Sequence, residues 1–226
     1  MVLHEDNETY IRSLLQQREG HIAEMEHYAK EHDVPIMEST SMCMMLQLLE
    51  VQHPKKILEI GTAIGYSAIR MAERCPDAFI VTLERDQERA DVARENIKKS
   101  GKESQISLIV GDALEQSSVV STYESFDVIF IDAAKGQYER FFTLYEPMLK
   151  VGGLMISDNI LFKGMVSGAV QPEKKRFTQM VNKLKKFNER LMSNERFSSM
   201  IYPIGDGVMV NIKKQNIEND KGGEPL

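Results

Sequence analysis

Apolar residues in the first part of the chain recur with a helical period. Ile11, Leu14, Leu15, Ile22, Met25 and Ala29 share a face between Asp6 and His32, with an interruption near Gly20, and Asp33-Val34-Pro35 ends the pattern. A second helix is expected from Ser39 to about Gln52, capped by Ser39 or Thr40. Its Met42, Met44 and Met45, with Leu46, Leu48 and Leu49, read as core or subunit interface rather than as ligand contacts. After Pro54 the texture changes to short apolar runs that alternate with amphipathic helices. Strands are expected over Lys56 to Ile60, Ala78 to Leu83, Gln105 to Val110, Phe126 to Ile131 and Leu154 to Ser157. Helices are expected to start near Gly65, Asp86, Asp112 and Tyr138, with another from about Glu173 to Asn194. Nearly continuous apolar strands separated by helices predict an α/β fold, a doubly wound and mostly parallel sheet. Phe197 to Pro203 and Val208 to Lys213, joined through Gly205-Asp206-Gly207, predict a closing antiparallel hairpin. The polar stretch from Gln215 to Leu226 reads as a disordered tail. The chain therefore divides into a helical extension over 1–54, an α/β domain over 55–213 and a tail over 214–226.

Composition narrows the class. At 226 residues and 42% hydrophobic content the chain can bury one full core with an appendage. A formal charge of -6 excludes a protein that binds nucleic acid through a uniformly basic surface, while leaving a local basic face open. Cys43 and Cys75 are too far apart for a zinc or redox motif and suit a reducing compartment. The first residues lack a basic-then-apolar leader, and no apolar run approaches the ~18 residues of a membrane span, so a soluble, cytoplasmic protein is expected.

Candidate chemistry sits after the strands, because ligands of an open parallel sheet bind beyond its carboxyl ends. The first strand runs into Glu59-Ile60-Gly61-Thr62-Ala63-Ile64-Gly65-Tyr66-Ser67, and a second acidic residue, Glu84, follows the next strand. A glycine turn with a carboxylate roughly 20 positions further on describes a nucleotide cradle whose acidic residue takes ribose hydroxyls. The turn departs from the Gly-x-Gly-x-x-Gly of dinucleotide folds and carries Glu59, which favours a cationic ligand over a pyrophosphate. The remaining strand ends supply Gly111-Asp112-Ala113, Asp132-Ala133-Ala134-Lys135 and Asp158-Asn159. Asp132, Asp158 and Asn159 are three hard oxygen donors that would suit magnesium, calcium or manganese. Alternatively, Asp132 and Asp158 cap the helices that follow. Lys135 could overhang the same crevice and deprotonate or steer a hydroxyl nucleophile, or be a solvated loop lysine. All five histidines precede the first strand, which disfavours Ser/His/Asp catalysis, and no P-loop is present.

Three of these segments in order, Glu59 to Ser67, Phe126 to Lys135 and Ile156 to Asn159, resemble class I S-adenosylmethionine-dependent methyltransferases of the metal-dependent catechol and caffeoyl-coenzyme A O-methyltransferase family. The resemblance spans about residues 35 to 213 and implies a seven-stranded, Rossmann-like sheet. It implies that Glu84 holds the ribose, that Asp112 and Ala113 border the adenine, and that Met37 covers the sulfur end. Glu59, Gly61 and Ser67 belong to the cofactor motif, with Gly61 and Ser67 near the methionine moiety. Asp132, Asp158 and Asn159 match magnesium ligands, Asp132 also lies near the cofactor, and Lys135 matches the candidate base. The chain has no tryptophan, so the loop from Leu161 to Val170 must cover the acceptor. Within the family the chain most resembles bacterial enzymes that methylate 5-hydroxyuridine at the tRNA wobble position, giving 5-methoxyuridine; a small catechol or caffeoyl-type phenol is the alternative acceptor. Both place two oxygens side by side on a planar ring. Lys163, Lys174, Lys175, Arg176, Lys183, Lys185, Lys186 and Arg190 could meet anticodon phosphates, or form a solvated helix face. The apolar N-terminal helices suggest a homodimer.

Overall fold

A computed structural model describes residues 5–215; the expected tail lies almost wholly outside them. Seven strands form one sheet, β1 (Lys56–Ile60), β2 (Phe79–Glu84), β3 (Ile106–Val110), β4 (Phe126–Ile131), β5 (Leu149–Ser157), β6 (Phe197–Tyr202) and β7 (Val208–Lys213). Their order is β3-β2-β1-β4-β5-β7-β6. The first five pair in parallel, and β7 runs antiparallel to both β5 and β6, so the expected hairpin closes one side.

The strands read as apolar runs because helices cover both faces. Along β1, Ile57 faces one layer while Leu58 and Ile60 face the other. On the first face Ile57, Ile80, Phe130 and Ile156 pack against α2 (Gly20–Glu31), α3 (Ser39–Gln52), α4 (Tyr66–Arg74) and α5 (Gln87–Lys99). Met42 and Met45 of α3 are fully enclosed there, so these methionines are core, and α2 and α3 share the core of the sheet. On the second face Leu58, Val81, Ile129 and Met155 meet α7 (Tyr138–Tyr145) and α8 (Lys175–Met192). Val181, Leu184, Phe187 and Leu191 recur at three- and four-residue spacing, which turns one side of α8 inward.

Four expectations on element ends change. The first helix splits into α1 (Glu5–Leu14) and α2, with a non-helical link after Leu15. Glu38, in extended backbone, is the N-cap of α3 in place of Ser39 or Thr40; its carboxylate gives no cap bond and pairs with Arg12 at 2.9 Å. The helix expected at Asp112 is displaced to the short α6 (Ser117–Ser121), because the Asp112 carboxylate accepts the Leu114 N–H at 2.9 Å and closes a turn. β5 starts at Leu149, ahead of its glycines, through a register shift opposite β4. Among the described residues no helix is long and apolar enough to cross a membrane.

Candidate active site

The order of the strands reverses at β1, between β2 and β4, and a crevice opens there beyond the carboxyl ends. It forms a cavity of about 870 Å³, walled on one side by Gly61, Glu84 and Asp112 and on the other by Asp132, Lys135 and Asn159. Two neighbouring turns fix its floor. Gly61 N–H donates to Leu83 O at 3.0 Å and Asp132 N–H to Ile60 O at 3.0 Å, drawing the β1 end against β2 on one side and β4 on the other. Gly61 has φ +106, and a Cβ there would overlap the Asp132 carbonyl, so only glycine permits this approach.

One wall of the cavity is organised around Glu84. Its Oε2 accepts the Ala63 N–H at 2.8 Å and its Oε1 accepts the Asp86 N–H at 2.9 Å, which locks the carboxylate against the glycine turn. Its remaining lone pairs are free to accept a pair of vicinal hydroxyls from the cavity. Asp112 and Ala113 stand in the same wall, and Tyr145 Oη holds Ala113 O at 2.5 Å. Met37, 4% exposed, covers the cavity from the segment before α3. Ser67 reaches the wall from the first turn of α4.

Glu59 is placed differently from a cofactor contact. It lies beneath the cavity, wholly buried, and accepts hydrogen bonds from the Ser67 hydroxyl and, at 2.5 Å, from Thr82 Oγ1. Its side chain reaches the ligand space only through Ser67. Burial pushes its carboxyl up to about 7; the two hydroxyls work against that, and the charges of Asp132 and Glu84 add to it.

The acidic side is built by register. Ile131 pairs with Ser157 across β4 and β5, so the next residues, Asp132 and Asp158, leave neighbouring strand ends together. Asp158 is 1% exposed; its N–H donates to Ile131 O at 3.1 Å, and its Oδ1 accepts the Asn159 N–H at 2.8 Å. Neither carboxylate caps a long helix: the chain after Asp132 makes a short 3-10 turn, and Asn159 is left-handed at φ 54. Burial, then the charge of Asp132, pushes Asp158 up to about 8, against the pull of the Asn159 N–H and of Lys135. Burial also raises Asp132, and Lys135 opposes it.

Burial and the neighbouring carboxylate disfavour the charged form of this pair, and a cation held between the two would stabilise that form. Among the described residues no three His, Cys, Asp or Glu side chains gather as a metal site; the set here is mixed, two carboxylates and the Asn159 amide. Such oxygen donors fit a hard divalent ion. Lys135 overlooks the pair from the 3-10 turn, as one wall of the same cavity.

Several participants escaped the reading of strand ends. Tyr138 Oη donates to Asp158 O at 2.9 Å, and Asp206 of the β6–β7 turn enters the cavity wall among these charges. Glu8, Thr9 and Arg12 of α1, Arg85 just before α5 and Arg89 in its first turn also line the cavity. The Gly-Asp-Gly turn was the only visible signal for Asp206. Of the expected acceptor loop, Phe162 stacks obliquely on Phe177 at 6.0 Å and Lys163 reaches the cavity.

Comparison with known proteins gives a consistent result. An O-methyltransferase family model matches residues 11–214. A caffeoyl-CoA O-methyltransferase of Stellaria longipes is 32% identical over 206 residues, covering 87% of this chain and 84% of that protein. A catechol O-methyltransferase of Niastella koreensis is 35% identical over 162 residues, covering 70% and 73%. A Staphylococcus aureus structure, solved as that of a candidate caffeoyl-CoA O-methyltransferase, is 36% identical with TM-score 0.87, covering 92% of this chain and 100% of that one. A Bacillus cereus O-methyltransferase in complex with S-adenosylhomocysteine is 26% identical with TM-score 0.78, covering 91% and 96%.

Proposed function

We propose, from the premise that this chain belongs to the O-methyltransferase family and transfers methyl groups from S-adenosylmethionine, that its acceptor is a planar ring bearing two adjacent oxygens, of the catechol type. The single observation that carries this reading is that Asp132, Lys135 and Asn159 line one end of the cavity, opposite the Glu84 wall, with Asp158 buried at the strand end next to Asp132.

When bound, S-adenosylmethionine supplies a methyl group on a sulfonium leaving group. A divalent ion such as magnesium, held by Asp132, Asp158 and Asn159, would supply Lewis-acid polarisation and alignment of the two acceptor oxygens. The chain does the positioning. Glu84 takes the ribose hydroxyls, Asp112 and Ala113 border the adenine, and Met37 and Ser67 close over the methionine end. Gly61 lets backbone lie against the ligand. Lys135 holds its amine over the acidic end, where in its neutral form it would take the proton released as the acceptor oxygen attacks. Holding the two reactants in one cleft supplies the alignment that in-line displacement needs.

The names of the relatives, caffeoyl-CoA and catechol O-methyltransferases, favour the phenol over the wobble 5-hydroxyuridine expected from sequence. One observation keeps the tRNA reading as a second: Lys163, Lys174, Lys175, Lys185 and Lys186 have no ion-pair partner among the described residues. Arg190 is engaged by Glu139, and Arg176 lies over the Phe177 ring at 4.8 Å. An anticodon stem would use such lysines as phosphate contacts. Methyl transfer from labelled cofactor is expected to 3,4-dihydroxybenzoate with magnesium and to stop with a chelator. Transfer only to tRNA carrying 5-hydroxyuridine, weakening with salt, would replace the first reading by the second. Transfer undiminished by the chelator would contradict both.

A further inference from the structure

We propose that Asp206 is a positioning residue that clamps the acceptor-side segment 159–163 in place. The inference deepens the reading above, since that segment carries Asn159 and Lys163. Its backbone is costly. Asn159, Phe162 and Lys163 have φ of 54, 46 and 52, a left-handed conformation that non-glycine residues adopt only when their surroundings hold them there.

The β6–β7 turn provides the hold. Ile160 N–H donates to Gly207 O and Leu161 N–H to Asp206 O, each at 3.0 Å, and Lys163 N–H donates to the Asp206 carboxylate. Gly207, at φ +87, lies so close to Leu161 that a Cβ would overlap its side chain. The same turn is tied to the helix behind Met37, through Ser41 Oγ donating to Ile204 O at 3.2 Å. The carboxylate bond is the one of the three that a side-chain substitution removes, and it fastens the left-handed end of the segment farthest from β5. A third bond at the far end of the segment holds a strained loop that the two backbone bonds nearer β5 would leave partly open.

The test uses the full chain and the variants Asp206→Ala and Asp206→Asn. In the alanine variant amide exchange should quicken over 160–166 and stay unchanged over 57–67, with S-adenosylmethionine affinity within about twofold of wild type. With 3,4-dihydroxybenzoate and magnesium its KM should rise about tenfold or more. Asparagine, whose amide oxygen can accept the same N–H, should restore most of both. Lys163→Gly relieves the left-handed backbone, so adding Asp206→Ala to it should cost less than it costs the wild type. Unchanged exchange over 160–166, an asparagine variant as defective as alanine, or a full Asp206→Ala cost in the Lys163→Gly background would overturn the clamp. Should alanine unfold the chain, the asparagine variant and the Lys163→Gly comparison made with Asp206→Ser decide it. A wild type inactive on 3,4-dihydroxybenzoate would count against the acceptor reading and leave exchange to judge the clamp.

Discussion

Glu84 and Asp158 are both carboxylates at strand ends, yet their surroundings give them separate tasks. Glu84 is locked by two backbone donors against the glycine turn and lines the cavity. Glu84→Ala should therefore weaken cofactor binding by about 10- to 100-fold, measured by calorimetry, because charge-assisted bonds to ribose are lost; wild-type affinity would contradict that assignment. Asp158 sits beside Asp132 behind the acceptor end. Asp158→Ala should cut turnover at least about 100-fold while the cofactor binds nearly as before. Glu59 acts through pH. Its folded-state carboxyl is raised from 4.5 to about 7, so the native state holds a proton that the unfolded chain releases. Its contribution is complete below pH 4.5 and declines as pH rises to about 7. Thermal denaturation from pH 4.5 to 7 should show that decline, and Glu59→Gln should flatten it; an equal slope in both proteins would remove Glu59 as the cause.

Elements were legible where burial is two-sided or one-sided in a regular way. β1, β4 and β7 have the bounds their apolar runs predict, and the inward face of α8 follows from Val181, Leu184, Phe187 and Leu191. Phe187, 1% exposed, meets Tyr138 edge-on at 5.8 Å and Phe142 at 6.3 Å. Phe187→Ala should cost about 3–5 kcal/mol in urea unfolding; a loss under about 1 kcal/mol would show that α8 closes over the gap. What sequence hid are ends decided by partners far away in the chain. Glu38 takes Arg12 and leaves α3 uncapped by a side chain, and the glycines of β5 look like a breaker until Gly153 is seen against Asp127 of the neighbouring strand. Local preference yields to tertiary contact at both places.

For the whole molecule, the strand ends were readable because a parallel sheet collects them at one edge. The lining contributed by Glu8, Thr9 and Arg12 and the clamp at Asp206 were not, since each depends on how distant segments fold back. α1 also leaves Tyr10, Ile11 and Leu14 exposed at 65%, 44% and 65%, the surface we propose for pairing with a second copy. Sedimentation should find a dimer that Leu14→Glu weakens; a monomer at all concentrations would dismiss it. The central claim is that two carboxylates in register and one left-handed amide hold a divalent ion beside the cofactor. Its most direct measurement is calorimetric titration of manganese into the S-adenosylmethionine-loaded chain, beside the variant carrying Asp132→Asn and Asp158→Asn. One ion per chain in the wild type and none in the variant is the predicted result. Equal binding in the two proteins, or none in the wild type, would contradict it.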